Sequence, residues 1–569
     1  MGELPVEDPA FGRQAESSEI AAVRGASVPV LRITTLVGGL AAGRGAMGSS
    51  RLTEQVSLFE RVPDDSRMGW GSIAAILSGV VSSLSKLMGG GIVAFYAGCQ
   101  LGSVAAGILF VLGTVLTYLV GRISYEEGLP NNVTSRFYVF GTKGSVVGSL
   151  IWIFLLVGVL AVGTVQLGNA IMYYFGLTSP WMKVVLFLAI SGIWILISLF
   201  GVKFIARFNG VFVALLFAAL AFVVVKIALD GDMGDALTHG IMVPGVSTGD
   251  GFAYGLNYCV MTSGLMALFA ADFTRFLRKK SDLVPVSLFG SIVAIVTYVF
   301  GALLTYYGYE QSVAYFESIG YDAAGAANAA ITNPGVTLVL ALGFAGLLII
   351  CLSQMKVETS NSIGGANAVS NLFDALFGMR LPWPVAVVIA NAVGLVFIFG
   401  NILDKVNAFM SVGSILTMSW CFLLITDYYL VRGVMHIGSR GIVSLKHIEA
   451  VNWRGVVTIA VTTVVCTVLY TAKILMIPLL LAAPLTMGLY IMLSVAFRDQ
   501  VRARDAQMRA CEQAEVDGSD EAAASTEVAV PAGIAASVEG VESAEGAALA
   551  KDVVPAGDAS PARGEASGR

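Results

Sequence analysis

The sequence predicts an all-α polytopic membrane protein of twelve transmembrane helices. Three observations carry that fold class. The 569 residues are 56% hydrophobic and only 13% charged, against about 25% charged in an ordinary soluble domain; a soluble reading needs an apolar core larger than one domain holds. Apolar runs long enough to cross a bilayer, ~20 residues each, recur twelve times. Basic residues favour the loops of one side over those of the other. A β-barrel does not fit, because its strands alternate polar and apolar residues instead of running continuously apolar.

The spans fall at 70–97, 102–121, 145–174, 182–202, 208–229, 252–270, 284–308, 335–365, 383–400, 406–431, 454–472 and 475–497. Loops after even-numbered spans hold Arg122, Arg136, Lys143, Lys203, Arg207, Arg275, Arg278, Lys279, Lys280, Arg380, Arg432, Arg440, Lys446 and Arg454. Loops after odd-numbered spans hold little beyond Lys183, Lys405 and Lys473, and the long stretches 230–251 and 309–334 have no Lys or Arg. The positive-inside rule then places both termini in the cytoplasm, with the spans in the cytoplasmic membrane.

Residues 1–69 read as a cytoplasmic arm; their apolar patch at 27–43 is broken by Arg32 and is too short and too late for a signal peptide. Residues 498–569 turn rich in Ala, Glu, Asp, Gly and Ser after a short basic stretch, a composition that predicts a disordered cytoplasmic tail. The net charge of −5 owes much to that tail and gives no reason to expect a nucleic-acid partner. Cys99, Cys259, Cys351, Cys421, Cys466 and Cys511 have no metal-ligand spacing and read as small hydrophobes. His239, His436 and His447 all lie in loops, so no histidine relay crosses the membrane. No cofactor is expected.

Spans 1 and 6 are interrupted by small residues: Lys86 stands just before Gly89-Gly90-Gly91, and span 6 contains Ser263-Gly264. They hold matching places if the first ten spans form two five-span halves, 70–229 and 252–431, with 454–497 as two extra helices. Paired interruptions of this kind point to a transporter binding site, where half-helix ends offer unpaired N–H and C=O groups. The three glycines beside a lysine predict unwinding in span 1. Gly364-Gly365 reads evenly as unwinding or as close helix packing.

Span 8 carries Ser353-Gln354-Met355-Lys356-Val357-Glu358-Thr359-Ser360-Asn361. A charge at the bilayer centre costs at least ~2.5–3.5 kcal/mol, so Lys356 and Glu358 mark a pathway or a site. Glu358 lies about 200° around the helix from Lys356, whereas Asn361 lies within about 60° of Glu358. A carboxylate beside an amide suits an amino-substituted ring or a cationic amine; an ion pair of Glu358 with Lys86 is the competing reading.

Glu60-Arg61-Val62-Pro63 before span 1, Ala271-Asp272-Phe273-Thr274-Arg275-Phe276 ending span 6, Asn361-Ser362-Ile363-Gly364 in span 8 and Asp427-Tyr428-Tyr429-Leu430-Val431-Arg432 ending span 10 together resemble the nucleobase:cation symporter-1 family, the purine-cytosine permeases, over residues 60–497. The resemblance implies a leucine-transporter-like 5+5 inverted repeat and alternating access driven by Na⁺ or H⁺. It also implies import of a nucleobase, or a related polar heterocycle, between helices 1, 3, 6 and 8. Asn361 matches the family's substrate-binding amide. The helix 3 positions fall at Leu156 and Val159 and the helix 6 aromatic at Ser263, so facing aromatics are missing; lost stacking costs ~1–3 kcal/mol by analogy with base–aromatic contacts. The sodium-ligating hydroxyl positions fall at Met355 and Lys356. The expected substrate-site residues are thus Gly89, Gly90, Leu156, Val159, Ser263, Gly264, Glu358 and Asn361, with Lys86 and Lys356 as ion-coupling groups. A buried lysine sheds its proton more readily than a free one, so Lys356 in the cation's place favours proton coupling, or none. Snorkelling at a helix end is the plain alternative. Asp272 with Arg275, and Asp427 with Arg432, read as gating or structural ion pairs.

A non-aromatic or amine substrate on the same fold is the nearest alternative function. An integral-membrane enzyme lacks support, since H-E-x-x-H, P-loop, G-x-S-x-G and paired-Cys signatures are missing. A channel lacks a TVGYG-like filter.

Overall fold

The computed structural model describes residues 61–200, 202–379, 381–442 and 447–527. Most of the expected N-terminal arm and the end of the tail lie outside them. Among the described residues the fold is helical throughout. Nine helices are long and apolar enough to cross a membrane, or ten if a bent pair counts as one span; with the shorter apolar helices Trp70–Val81 and Trp383–Phe399 this is consistent with twelve crossings.

The first span is two helices. α1 (Trp70–Val81) ends at Ser82, and α2 (Leu84–Glu127) begins after an extended Ser83. α2 then runs through a bend at Gly98, whose φ of 75° suits glycine, and so contains the rest of span 1 and all of span 2. The break therefore falls at Ser82–Ser83, not at the glycine triplet. Gly89, Gly90 and Gly91 are helical and buried. A Cβ on Gly90 would overlap the carbonyl of Tyr298, and one on Gly301 would overlap that of Leu87. The glycines let two backbones cross closely.

α3 (Ser145–Phe175) contains a π-turn at Ile153–Val157, followed by α4 (Pro180–Phe200) and α5 (Val202–Leu229). α6 (Thr248–Thr274) is continuous, which corrects the interruption expected at Ser263-Gly264. The Ser263 hydroxyl donates back to the Cys259 carbonyl at 2.9 Å, within the helix. A Cβ on Gly264 would come within 2.5 Å of Thr417, so this glycine too serves close approach. α7 (Leu283–Ser318) bends at Gly308.

Span 8 is placed differently from the expectation. The apolar residues after Asn333 form α9 (Pro334–Leu342), which meets α8 (Ala323–Thr332) at 74°. A left-handed Gly343 then starts α10 (Phe344–Phe377). Lys356 is the thirteenth residue of this 34-residue helix and 3% exposed, so it does not snorkel from an end. Gly364 and Gly365 are helical and face Leu156 and Val157 of α3, which decides their reading for close packing.

α11 (Trp383–Phe399) precedes α12 (Val406–Ile425), which continues as a π-helical run, Thr426–Val434. α13 (Trp453–Thr471) and α14 (Leu479–Ala496) complete the bundle. Large apolar side chains such as Phe200, Leu229 and Val396 are exposed on its outside, while Ser, Thr, Asn and the charged Lys86, Lys356 and Glu358 are buried. Lipid as solvent removes the penalty on exposed hydrocarbon and rewards internal polar contacts.

The tail begins with a helix, α15 (Arg498–Glu527), where disorder was expected. Composition missed it because its contacts are remote in sequence. Val501 and Met508 are buried, and Asp505 accepts from Ser439 N at 2.7 Å.

Candidate functional site

The site is built on the break between α1 and α2. Where a helix stops, its last carbonyls lack N–H partners and carry the negative end of the dipole. Here the Lys356 ammonium fills that position. Nζ donates to Gly79 O at 3.0 Å, Ser82 O at 2.8 Å and Ser82 Oγ at 2.6 Å. An ammonium has three donors, and all three are satisfied by backbone and hydroxyl oxygens of the kind that ligate a hard cation.

Glu358 is 1% exposed and accepts from Gln354 Nε2 at 3.0 Å and Asn361 Nδ2 at 3.1 Å. Gln354 in turn accepts from Leu84 N at 3.4 Å, tying α10 to the start of α2. Gly163 of α3 lies over the carboxylate, with no room there for a Cβ. Lys86 does not reach Glu358. Its Nζ donates to Thr262 Oγ1 at 3.3 Å, and Thr262 pairs with the Tyr298 hydroxyl at 2.7 Å. Tyr258 OH donates to Ser85 O across the same contact. Among the described residues, neither lysine forms an ion pair with Glu358; the competing reading, a Glu358–Lys86 pair, gives way to separate hydrogen-bonded partners.

Between these groups is a cavity of about 30 Å³, room for about two waters. Its polar lining is Ser83, Ser85, Lys86 and Asn361, and its apolar lining includes Leu156, Val159 and Phe269. So the structure unites four expected residues: Lys86, Leu156, Val159 and Asn361. Glu358 stands behind Asn361 rather than on the cavity wall. Gly89 and Gly90 lie at the α2–α7 crossing, and Ser263 and Gly264 point toward other helices. Sequence reasoning missed Phe269 of α6, an aromatic on the cavity wall three residues before Asp272; Ser263, the position expected for the helix 6 aromatic, does not line the cavity.

The basic end of the bundle is held by buried charge. Asp427 and Arg432 pair at 2.7 Å with side chains 1% and 4% exposed. Tyr490 OH donates to Asp427 at 2.8 Å, and Arg432 also reaches Asp505 of α15 at 3.1 Å. Asp272 and Arg275 are arranged otherwise than expected. The Asp272 carboxylate accepts from Asn131 N at 2.8 Å, and Arg275 Nε donates to the Asp272 backbone carbonyl at 3.2 Å. The carboxylate is thus taken by the first N–H of the short helix Asn131–Ser135 instead of the arginine.

Comparison with known proteins places this geometry. A family described as permeases for cytosine/purines, uracil, thiamine and allantoin matches residues 61–493. Mhp1, a nucleobase-cation-symport-1 family transporter, is similar in a closed conformation with bromovinylhydantoin bound: TM-score 0.54, 16% identity, 77% of this chain and 97% of that one. Its inward-facing conformation gives a TM-score of 0.56 at 16% identity, over 81% of this chain and 98% of that one. A Na⁺-coupled sialic acid symporter in a substrate-bound outward-open state has a TM-score of 0.50 and 10% identity, over 77% and 90%. No curated protein matches the sequence. A match across so much of the chain means that this protein belongs to the cytosine/purine, uracil, thiamine and allantoin permease family, and is a transporter and not an enzyme.

Proposed function

We propose that this protein imports a nucleobase or related small polar heterocycle by alternating access, with the proton as coupling ion. One observation carries the coupling: the Lys356 ammonium is bonded to Gly79 O, Ser82 O and Ser82 Oγ. Charged, the lysine supplies the positive centre that holds α1 against α10. Neutral, it keeps a lone pair and two donors, and the oxygens around it lose their cation. Protonation from one side and release to the other makes it a proton carrier. Lys356 is then the ion-coupling residue, and Asn361 the amide that meets the ring.

The bias of basic residues in the loops supports reading the Arg432 end of the bundle, and both termini, as cytoplasmic. On this reading Asp427, Arg432 and Asp505 close the inner end, and the Asp272–Asn131 contact secures the neighbouring helix. Uptake of radiolabelled nucleobase into proteoliposomes tests the function. An inward-directed proton gradient, acid outside and alkaline inside, should drive saturable accumulation that a protonophore abolishes. Accumulation indifferent to the gradient and the protonophore contradicts proton coupling.

A further inference from the structure

The cavity lining is electropositive without a matching acid. Lys86 is 9% exposed and donates a single hydrogen bond, to Thr262 Oγ1. An ammonium has three donors, so two remain for a ligand. The cavity also receives the start of α2. Ser83 sits at its N-cap with its hydroxyl on Ser85 Oγ at 2.9 Å and no side-chain capping bond; Leu84 N goes to Gln354 and Lys86 N to Ser83 O, and Ser83, Ser85 and Lys86 all line the space. A helix N-terminus carries positive partial charge and favours anions. The buried carboxylate of the site, Glu358, is turned from the cavity and occupied by Gln354 and Asn361. With Asn361 Nδ2 donating to Glu358, its carbonyl oxygen is left to accept a ring N–H.

We propose that the substrate is an anionic heterocycle: a ring bearing an N–H for Asn361 and a carboxylate or comparable anionic oxygen for Lys86 at the α2 N-terminus. This rests on reading the cavity as the substrate site in a closed arrangement, which alternating access must widen, since its volume of about 30 Å³ holds about two waters and not a ring. It assigns Lys86 to substrate recognition, leaving ion coupling to Lys356. Phe269, with Leu156 and Val159 opposite, forms an apolar wall for the ring rather than a double aromatic clamp. Charge on Lys86 thus replaces part of the affinity that a second aromatic would supply.

The test is binding to the purified full-length protein in nanodiscs, using matched pairs: uracil against uracil-6-carboxylate, and hydantoin against hydantoin-5-acetate. The carboxylated member of at least one pair should bind about tenfold or more tighter than its parent, the scale of a charge-assisted hydrogen bond. Lys86→Gln should bring the two members of that pair to within about threefold. Parents that bind as tightly as their carboxylates overturn the anionic substrate while leaving the nucleobase reading intact. Failure of every ring to bind overturns both. The wild-type comparison decides the matter even if the variant fails to fold.

Discussion

Lys356 of α10 and Lys86 of α2 are both buried beside the break between α1 and α2, yet the protein satisfies them unequally. Lys356 has three oxygen partners, two of them carbonyls at the end of a helix. Lys86 has one hydroxyl. The first arrangement is complete within the chain and holds α10 to the end of α1. The second is incomplete, next to a cavity. The difference teaches that buried charge of one kind can serve two ends: on the proposed reading, Lys356 stands in for a bound cation and Lys86 waits for a ligand.

The largest effect is expected at Lys356. Lys356→Met removes the cation from Gly79 O, Ser82 O and Ser82 Oγ and leaves them buried without their donor. Breaking such a unit costs about 3–5 kcal/mol, visible as a large fall in thermal stability in detergent, with transport lost. Lys356→Ser should recover part of that stability when sodium is added, since a cation binding only the folded state stabilises it by mass action. Sodium without effect on this variant would break the equivalence between ammonium and ion.

A smaller effect is expected at Glu358, which both lysines leave unpaired. Glu358→Gln weakens the bonds from Gln354 and Asn361, at about 1.5–3 kcal/mol. Thermal unfolding with a ligand titration should show reduced stability and weaker binding together, since Asn361 loses its anchor. An unchanged affinity would detach Glu358 from the site. On the scale of the Glu358 effect is Asp505→Ala in the tail helix α15. It removes an acceptor from both Arg432 and Ser439 but leaves Asp427 in place, so about 1.5–3 kcal/mol of stability is expected, read as a fall of several degrees in thermal unfolding. Lys86→Met should cost about 1 kcal/mol or less in stability, because replacing a singly bonded buried charge by hydrocarbon is close to neutral. A stability loss as large as that of Lys356→Met would erase the contrast between the two residues.

Much of this architecture was legible in the sequence. The spans follow from long apolar runs, and the placing of Lys356 away from Glu358 and Asn361 follows from helical geometry alone. The hydrogen bond from Asn361 to Glu358 is the three-residue spacing made physical. What was not legible depends on distant partners. Gly89-Gly90-Gly91 signals either unwinding or close crossing, and only the approach of Tyr298 decides between them. The true break at Ser82–Ser83 has ordinary local propensity, and the group that bonds its carbonyls, Lys356, lies more than 270 residues away. Asp272 looked paired with Arg275 by proximity in sequence, whereas Asn131 holds its carboxylate. The α15 helix was hidden by a composition that reads as disorder, because Ser439 and Arg432 lie far upstream.

The central claim is that the Lys356 ammonium occupies the cation's place, and sodium dependence tests it most directly. Initial uptake rates into proteoliposomes at fixed pH should stay within about twofold when external sodium is replaced stoichiometrically by choline, since a site already filled by a tethered charge gains nothing from a free one. A steep rise of uptake with sodium would contradict the account.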